Sequence, residues 1–365
     1  MNRIKVKIEG GREYDILVGY HILNKIGQHI ASLKLGNTVF LITSPSIGKL
    51  YLQPLTEGLN KAGLKNIIVH RVPDGEKYKN FLSYKKLLDD ITKVGQNEEK
   101  KIFIINLGGG VVGDLGGYVA ATYKRGINYV QIPTTLLAFV DCGIGGKVGI
   151  NYRTVKNIVG AFHQPRLVFA DLSLLKTLST RELKSGLAEV VKYGVISSPQ
   201  LFNFTEKNID KIVKLDKKVI EKIAMDCYTI KADIVSQDEF DTKGIRVKLN
   251  FGHTIGHAVE TASQYAYRHG EAVSIGMVCA NDIAVELGLL EQSNAARVEN
   301  LLRKIGLPVN IKNHNLKNIM DYLRRDKKFI NGKNRFVLAT TIGKVKIKED
   351  IPAKIISDVI ENRFI

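Results

Sequence analysis

The sequence predicts an α/β N-terminal half followed by a mainly α-helical C-terminal half, and three features predict it. Short β-rich runs alternate with helical patterns through the first half, the order that builds a parallel sheet with helices packed on it. A glycine-rich turn joins one such strand to one such helix in KIFIINLGGGVVGDLGGYVAA. From residue 179 onward nearly every segment carries apolar residues at three- and four-residue spacing, the period of an amphipathic helix. The boundary is expected at residue 178, giving domains 1–178 and 179–365. With 365 residues, of which 44% are hydrophobic, each half can bury a core of its own.

Taken in order, IKVKIEG and YDILVGY read as a hairpin, HILNKIGQHIASL as a helix, NTVFLIT as a strand and KLYLQPLTEGLNKAG as a helix ending in Gly63. NIIVHRV, KIFIINL and NYVQIPT read as further strands, with the helices FLSYKKLLDDITKVG and VGDLGGYVAATYK between them. The helical segments of the second half run from STRELKSGLAEVVKYGVI to NAARVENLLRKIG, and RFVLATTIGKVKIK reads as a late hairpin. A ligand site is expected in the cleft between the halves.

Composition excludes several classes. The first thirty residues alternate charge with apolar side chains, so neither a secretory signal nor a membrane span is expected and the default location is cytoplasmic. Cys142, Cys227 and Cys279 are far apart and form no CxxC, which argues against a disulfide framework and leaves any metal to nitrogen and oxygen ligands. The net charge is +18, but the lysines are spread along the chain without a basic tail. That pattern fits a solvated surface and anionic small molecules better than nucleic acid.

Gly108, Gly110 and Gly113 fit G-x-G-x-x-G after a strand and before a helix. In that setting the backbone can approach a pyrophosphate, whose charge is stabilised by amides at the helix N-terminus. The acidic ribose ligand expected about 20 residues further on is missing; Asp74 and Glu76 in PDGEKYK are the candidates to replace it. A tight turn without a ligand is the alternative, although the further glycines that follow exceed what a turn requires.

His253 and His257 lie one helical turn apart in LNFGHTIGHAVE. HTIGH lacks the glutamate of a metalloprotease helix. RHGEAV places His269 before another helix, and SGLAEVVKYG puts Glu189 on an apolar helix with Lys192 three residues on. Two imidazoles and a carboxylate are a common zinc set with an open position. Spacing alone leaves that reading level with hydrogen-bonded core histidines and a Glu189–Lys192 pair. In TTLLAFVDCGIGGKVGINYRTVKNIVGAFHQP, Asp141, Lys147, Lys156 and Asn157 stand among glycines that bar a long helix, and such lysines suit phosphate or carboxylate.

These stretches, with VQIPTTLLAFVD and RRDKK and in this order, resemble the 3-dehydroquinate synthase family. The resemblance implies a Rossmann-like NAD-binding domain and a helical metal- and substrate-binding domain. It implies a homodimer acting on 3-deoxy-arabino-heptulosonate 7-phosphate, with NAD and a divalent metal, zinc or cobalt. By that pattern Glu189, His253 and His269 fall on the metal ligands. His257 then faces the substrate as a polar or proton-transfer group. Asp74, Glu76, Lys79, Gly110, Gly113, Asp114, Thr134, Thr135, Lys147, Lys156 and Lys176 fall on cofactor-binding positions. Asp141, Lys147, Asn157 and Lys192 join His257 as catalytic candidates, and Arg125, Lys231, Arg246, Asn250 and Lys328 are substrate-binding ones. The arginine matching Arg125 reaches into the neighbouring subunit in that family.

The implied chemistry is oxidation of a ring hydroxyl by NAD, β-elimination of phosphate, return of the hydride and intramolecular aldol closure. The sequence departs from the family at Cys142, Gly143 and Val148, in the longer DEFDTKGIR stretch before Arg246, and at Arg153 and Val155. Another sugar-phosphate cyclase, such as 2-deoxy-scyllo-inosose synthase, or a metal- and NAD-dependent polyol dehydrogenase is the alternative. GGK together with Lys231 and Arg246 favours a carboxylate-bearing substrate.

Overall fold

TVFLIT is buried at every position, and the other central strands are nearly so. Strands of this kind belong inside a parallel sheet, where both faces are covered. A computed structural model of the chain describes residues 1–153, 155–264, 266–312, 315–325 and 334–365, without the side chains of 324 and 325. Its strands are β1 (Asn2–Lys7), β2 (Glu13–Gly19), β3 (Thr38–Thr43), β4 (Asn66–Arg71), β5 (Ile102–Gly108), β6 (Tyr129–Pro133), β7 (Lys147–Tyr152), β8 (Val155–Phe162), β9 (Leu167–Asp171), β10 (Arg335–Thr341) and β11 (Lys344–Glu349). The helices are α1 (Ile26–Leu33), α2 (Pro45–Lys61), α3 (Phe81–Val94), α4 (Gly110–Thr122), α5 (Thr180–Ser197), α6 (Pro199–Val213), α7 (Lys217–Gln237), α8 (His253–Ala262), α9 (His269–Glu286), α10 (Gln292–Ile305), α11 (Leu316–Arg325) and α12 (Ala353–Glu361).

The chain divides into two compact units, one of Met1–Leu178 with Lys231–Phe240 and the other of Ser179–Ile230 with Asp241–Ile365. In the first, seven strands form one sheet in the order β1-β2-β9-β6-β5-β3-β4. All neighbouring pairs are parallel except β1 with β2 at the edge. Alternate residues of each strand feed opposite faces. Val39 and Leu41 pack with Ile26 and Ile30 of α1 and Leu55 and Leu59 of α2. Phe40 and Ile42 pack with Leu87 and Ile91 of α3 and Leu115 and Val119 of α4. The strand order reverses between β3 and β5, and ligands of open α/β sheets bind beyond the carboxyl ends of the strands at such a point. The glycine loop follows β5 there.

One segment differs from the sequence expectation, and the glycine-rich stretch, expected only to bar a long helix, takes a form of its own. The helix expected from His21 begins as a short 3-10 turn at Leu23–Lys25, and α1 starts only at Ile26. The cause is distant in sequence: the amides of Ile22 and Leu23 both donate to the Asp171 carboxylate, at 2.8 and 2.9 Å. The glycine-rich stretch after β6 forms a five-residue π-helical turn, Ala138–Cys142, and then the antiparallel hairpin β7–β8.

Among its described residues the regular elements of the second unit are helices apart from the antiparallel β10–β11 hairpin. Ser179 caps α5 by accepting from the Glu182 amide, and Ser198 caps α6 by accepting from the Leu201 amide, with Pro199 in its first turn. No helix among the described residues is long and apolar enough to cross a membrane.

Candidate metal and dinucleotide sites

Three helices of the second unit converge through glycines. A Cβ on Gly270 would overlap the Ser185 backbone, and the Gly270 amide donates to Ser185 Oγ at 3.0 Å. This draws the first turn of α9 onto α5, one turn before Glu189. Gly256 of α8 lies against Ala272 and Val273, and a Cβ on Gly276 would strike the Gly252 carbonyl, so α8 and α9 also pack backbone to backbone. Gly252 itself has φ +76°, which a side chain rarely adopts. Close packing of this kind is what brings residues from three separate segments within reach of one another.

Glu189, His253 and His269 are those residues, and their ligand atoms lie within 4.8 Å of one another. Nε2 of His253 and Nε2 of His269 are each 3.5 Å from Oε1 of Glu189. Two ligands about 2.0 to 2.1 Å from a tetrahedral zinc stand about 3.3 to 3.4 Å apart, so the spacing fits an ion among the three atoms. Glu189 is fully buried, and its Oε1 has no hydrogen-bond partner. A buried carboxylate oxygen left in that state is costly without a cation. Lys192 pairs with Oε2 of the same carboxylate and lies 4.9 Å over the Tyr193 ring. The Glu189–Lys192 pair thus occupies one carboxylate oxygen, and the two imidazoles face the other.

Each imidazole is held by its second nitrogen. His253 Nδ1 lies 3.0 Å from the Phe251 carbonyl, and His269 Nδ1 lies 3.3 Å from Oε2 of Glu260. A carbonyl accepts only, so His253 carries its proton on Nδ1 and presents the Nε2 lone pair to an ion. His257 is half-buried, its ring centroid 5.3 Å from His253 and 5.9 Å from His269. Arg246 is buried and Asn250 half-buried in the 3-10 turn that precedes α8. Lys328 lies outside the described residues.

In the first unit, Gly109 caps α4 without a side-chain hydrogen bond, leaving the amides of that first turn open to an anion. The Thr134 hydroxyl is buried without a partner, and the Thr134 amide donates to the Gly108 carbonyl at 3.0 Å. Both features fit a pyrophosphate-bearing ligand on the loop. Thr135 accepts from the Ala138 amide at 3.1 Å and shapes the following turn. The further glycines have another cause: Gly116 meets Asn106, and Gly117 meets Val148 of β7. They let α4 sit close on the sheet and the hairpin, so their number is no measure of ligand binding.

Asp74 Oδ1 accepts from the Ser46 hydroxyl at 2.6 Å. Burial works against its ionisation, yet the hydroxyls of Ser44 and Ser46 hold the carboxyl below the usual range. Lys79 is buried and pairs with Asp114. Burial lowers its ammonium, but the charges of Asp114 and Glu76 outweigh that and raise it. Glu76 accepts from Asn151 Nδ2 at 3.0 Å and lies 3.7 Å from Lys156, while Asn151 Oδ1 accepts from the Asn157 amide at 3.0 Å, holding Asn157 at φ +52°. Asn151 and Glu260 are site residues that sequence reading missed. Glu260 shares the helical face of His253 and His257 seven positions on, a periodicity that could have found it. Asn151 carried no comparable signal.

The remaining candidates are also placed. Lys231 is buried and bonds both the carboxylate and, at 2.7 Å, the carbonyl of Asp141. Lys147, Asn157, Arg125 and Lys176 are exposed on the first unit, with Arg125 in a turn at φ +62°. The Lys147 ammonium lies 5.9 Å over the Phe162 ring.

Comparison with known proteins agrees with this chemistry. The family model of the 3-dehydroquinate synthase N-terminal domain matches residues 69–185, and that of the C-terminal domain matches 186–329. 3-Dehydroquinate synthase of Crocosphaera subtropica is 43% identical over 353 residues, 95% of each chain. Among solved structures, 2-deoxy-scyllo-inosose synthase complexed with carbaglucose-6-phosphate, NAD+ and Co2+ is 26% identical with a TM-score of 0.89, over 99% of this chain and 100% of that one. The 2-epi-5-epi-valiolone synthase of Streptomyces hygroscopicus, with NAD+ and Zn2+ bound, is 25% identical with a TM-score of 0.86, over 98% and 99%. By its sequence along nearly its whole length, the chain belongs to the 3-dehydroquinate synthase family.

Proposed function

We propose that Glu189, His253 and His269 hold a divalent metal ion, zinc or cobalt, and that the α4 loop holds NAD, in a chain with the family's activity. That activity converts 3-deoxy-arabino-heptulosonate 7-phosphate to 3-dehydroquinate and phosphate. The observation that carries the reading is the buried Glu189 Oε1, without a hydrogen bond and 3.5 Å from each of two imidazole nitrogens. When bound, a divalent ion supplies Lewis acidity toward a ring hydroxyl, and NAD accepts and returns a hydride.

The chain's own residues bind and orient. The open amides of Gly110 and its neighbours and the Thr134 hydroxyl receive the dinucleotide, with Asp74 and the Lys79–Asp114 pair shaping its surroundings. Lys192 and Arg246 are cations buried in the second unit, suited to anionic groups of the substrate; Asn250 and His257 are further polar groups, close after Arg246 in sequence. His257 moves or holds a proton at its imidazole. On the first unit Lys147 and Asn157 are exposed polar groups of the β7–β8 hairpin, and the Lys231–Asp141 pair braces the turn before it. Fixed cations that hold phosphate and carboxylate in one geometry favour elimination by preorganisation. The exposed Arg125 turn fits a homodimer in which this arginine serves the neighbouring subunit, and the enzyme works in the cytoplasm.

The test is to incubate the purified chain, NAD and Zn2+ or Co2+ with the heptulosonate phosphate. Phosphate release without accumulation of NADH is expected, and chelation abolishes it. Steady NADH release instead would make the chain a polyol dehydrogenase. Phosphate release only from a sugar phosphate lacking the carboxylate would make it one of the other cyclases.

A further inference from the structure

We infer that Glu260 is a positioning residue that sets the tautomer and orientation of His269 at the metal centre, an inference that rests on the metal reading above. His253 and His269 are each the first residue of a helix. The first is held by a main-chain carbonyl, the second by a side chain, the Glu260 carboxylate at 3.3 Å. Glu260 is 3% exposed and lies in the last turn of α8. Its own carbonyl accepts from the Ser263 hydroxyl at 2.8 Å, which fixes the end of the helix that carries it. The carboxylate therefore spans from the end of α8 to the start of α9, across the segment that joins them.

His257, Glu260 and His269 form a second group whose ligand atoms also lie within 4.8 Å, so Glu260 could instead be a ligand. The ring of His269 decides against this. Its Nε2 faces Glu189 and its Nδ1 faces Glu260. A neutral imidazole has one lone-pair nitrogen and one N–H. With Nε2 given to an ion beside Glu189, Nδ1 keeps its proton and donates it to Glu260. Serving ions on both sides would require an imidazolate. Outer carboxylates of this kind orient a ligand and raise its basicity, and their loss typically costs about 10- to 100-fold in metal affinity.

The experiment uses the full chain stripped of metal and titrated with Co2+ against a chromophoric chelator. E260A is expected to bind Co2+ about 10- to 100-fold more weakly, with shifted visible Co2+ bands and an unchanged far-UV spectrum. E260Q keeps an acceptor for the Nδ1 proton and is expected to recover most of that loss. If E260A does not fold, the near-isosteric E260M takes its place. Wild-type affinity in the variants lacking an acceptor overturns the inference, as does an E260Q as weak as they are, because that result makes the carboxylate a ligand. Failure of the unaltered chain to bind Co2+, by contrast, overturns the metal reading itself.

Discussion

The Gly270 amide donates to Ser185 Oγ at 3.0 Å, in a contact so close that a methyl group at 270 would overlap the Ser185 main chain. His269 is the neighbouring residue, so this approach of α9 to α5 sets how far its imidazole stands from Glu189. Gly270→Ala is expected to destabilise the fold by about 1–3 kcal/mol through overpacking and to weaken metal binding. Urea unfolding and Co2+ titration check both. Unchanged values would show that the helices can part without moving His269 from Glu189.

His269→Ala removes one of the converging nitrogens and leaves Glu189, His253 and the core intact. The purified variant should retain the far-UV spectrum of the parent and carry little bound metal by elemental analysis. Metal content equal to the parent's would remove His269 from the ligand set.

Lys231, buried, and Asp141, half-buried, form an ion pair in the first unit. Truncating one partner of a fully buried pair costs about 3–5 kcal/mol, and this half-buried pair should lose less than that. Lys231→Ala and Asp141→Ala are each expected to lower the urea midpoint clearly. The double variant should be less destabilised than the sum of the two, as a double-mutant cycle would measure. Additive losses would mean that the pair is not coupled.

His70 stacks on Phe40, with ring centroids 4.1 Å apart, and its Nδ1 lies 3.0 Å from Asp90. Burial lowers its protonation range, and the opposing charge of Asp90 does not restore it. The folded state thus prefers the neutral ring. Its contribution is complete above the unfolded value, about 6.5, and is lost as pH falls through the lower folded value. His70→Asn keeps a donor toward Asp90 but does not titrate, so its unfolding midpoint should fall less steeply than the parent's between about pH 6.5 and pH 5. Parallel curves would exclude His70 as a source of acid sensitivity.

Strong periodicity made much of the fold legible. The alternation of strands and helices gave the parallel sheet, and the uniform helical spacing after residue 179 gave the character of the second half. What escaped was short or decided at a distance. LVFAD of β9 is five residues, all buried, so it has neither alternation nor length to announce it. The β7–β8 hairpin hides behind glycines, and the late start of α1 depends on Asp171, some 150 residues away. The convergence of Glu189, His253 and His269 was legible because several motifs could be matched at once. It was illegible where one side chain serves another, as Glu260 serves His269 and Asn151 serves Glu76 and Asn157.

Lys231–Phe240 belongs to the first unit although the chain has already left it at Leu178. This loan includes Glu239, which receives two hydrogen bonds from the Arg12 guanidinium, and Lys231, which holds Asp141. A fragment ending at 178 would lack both counterparts. Cutting the gene there should yield a truncated product prone to aggregation, whereas appending the borrowed decapeptide by a flexible tether is the shortest route to an independently folding nucleotide-binding half.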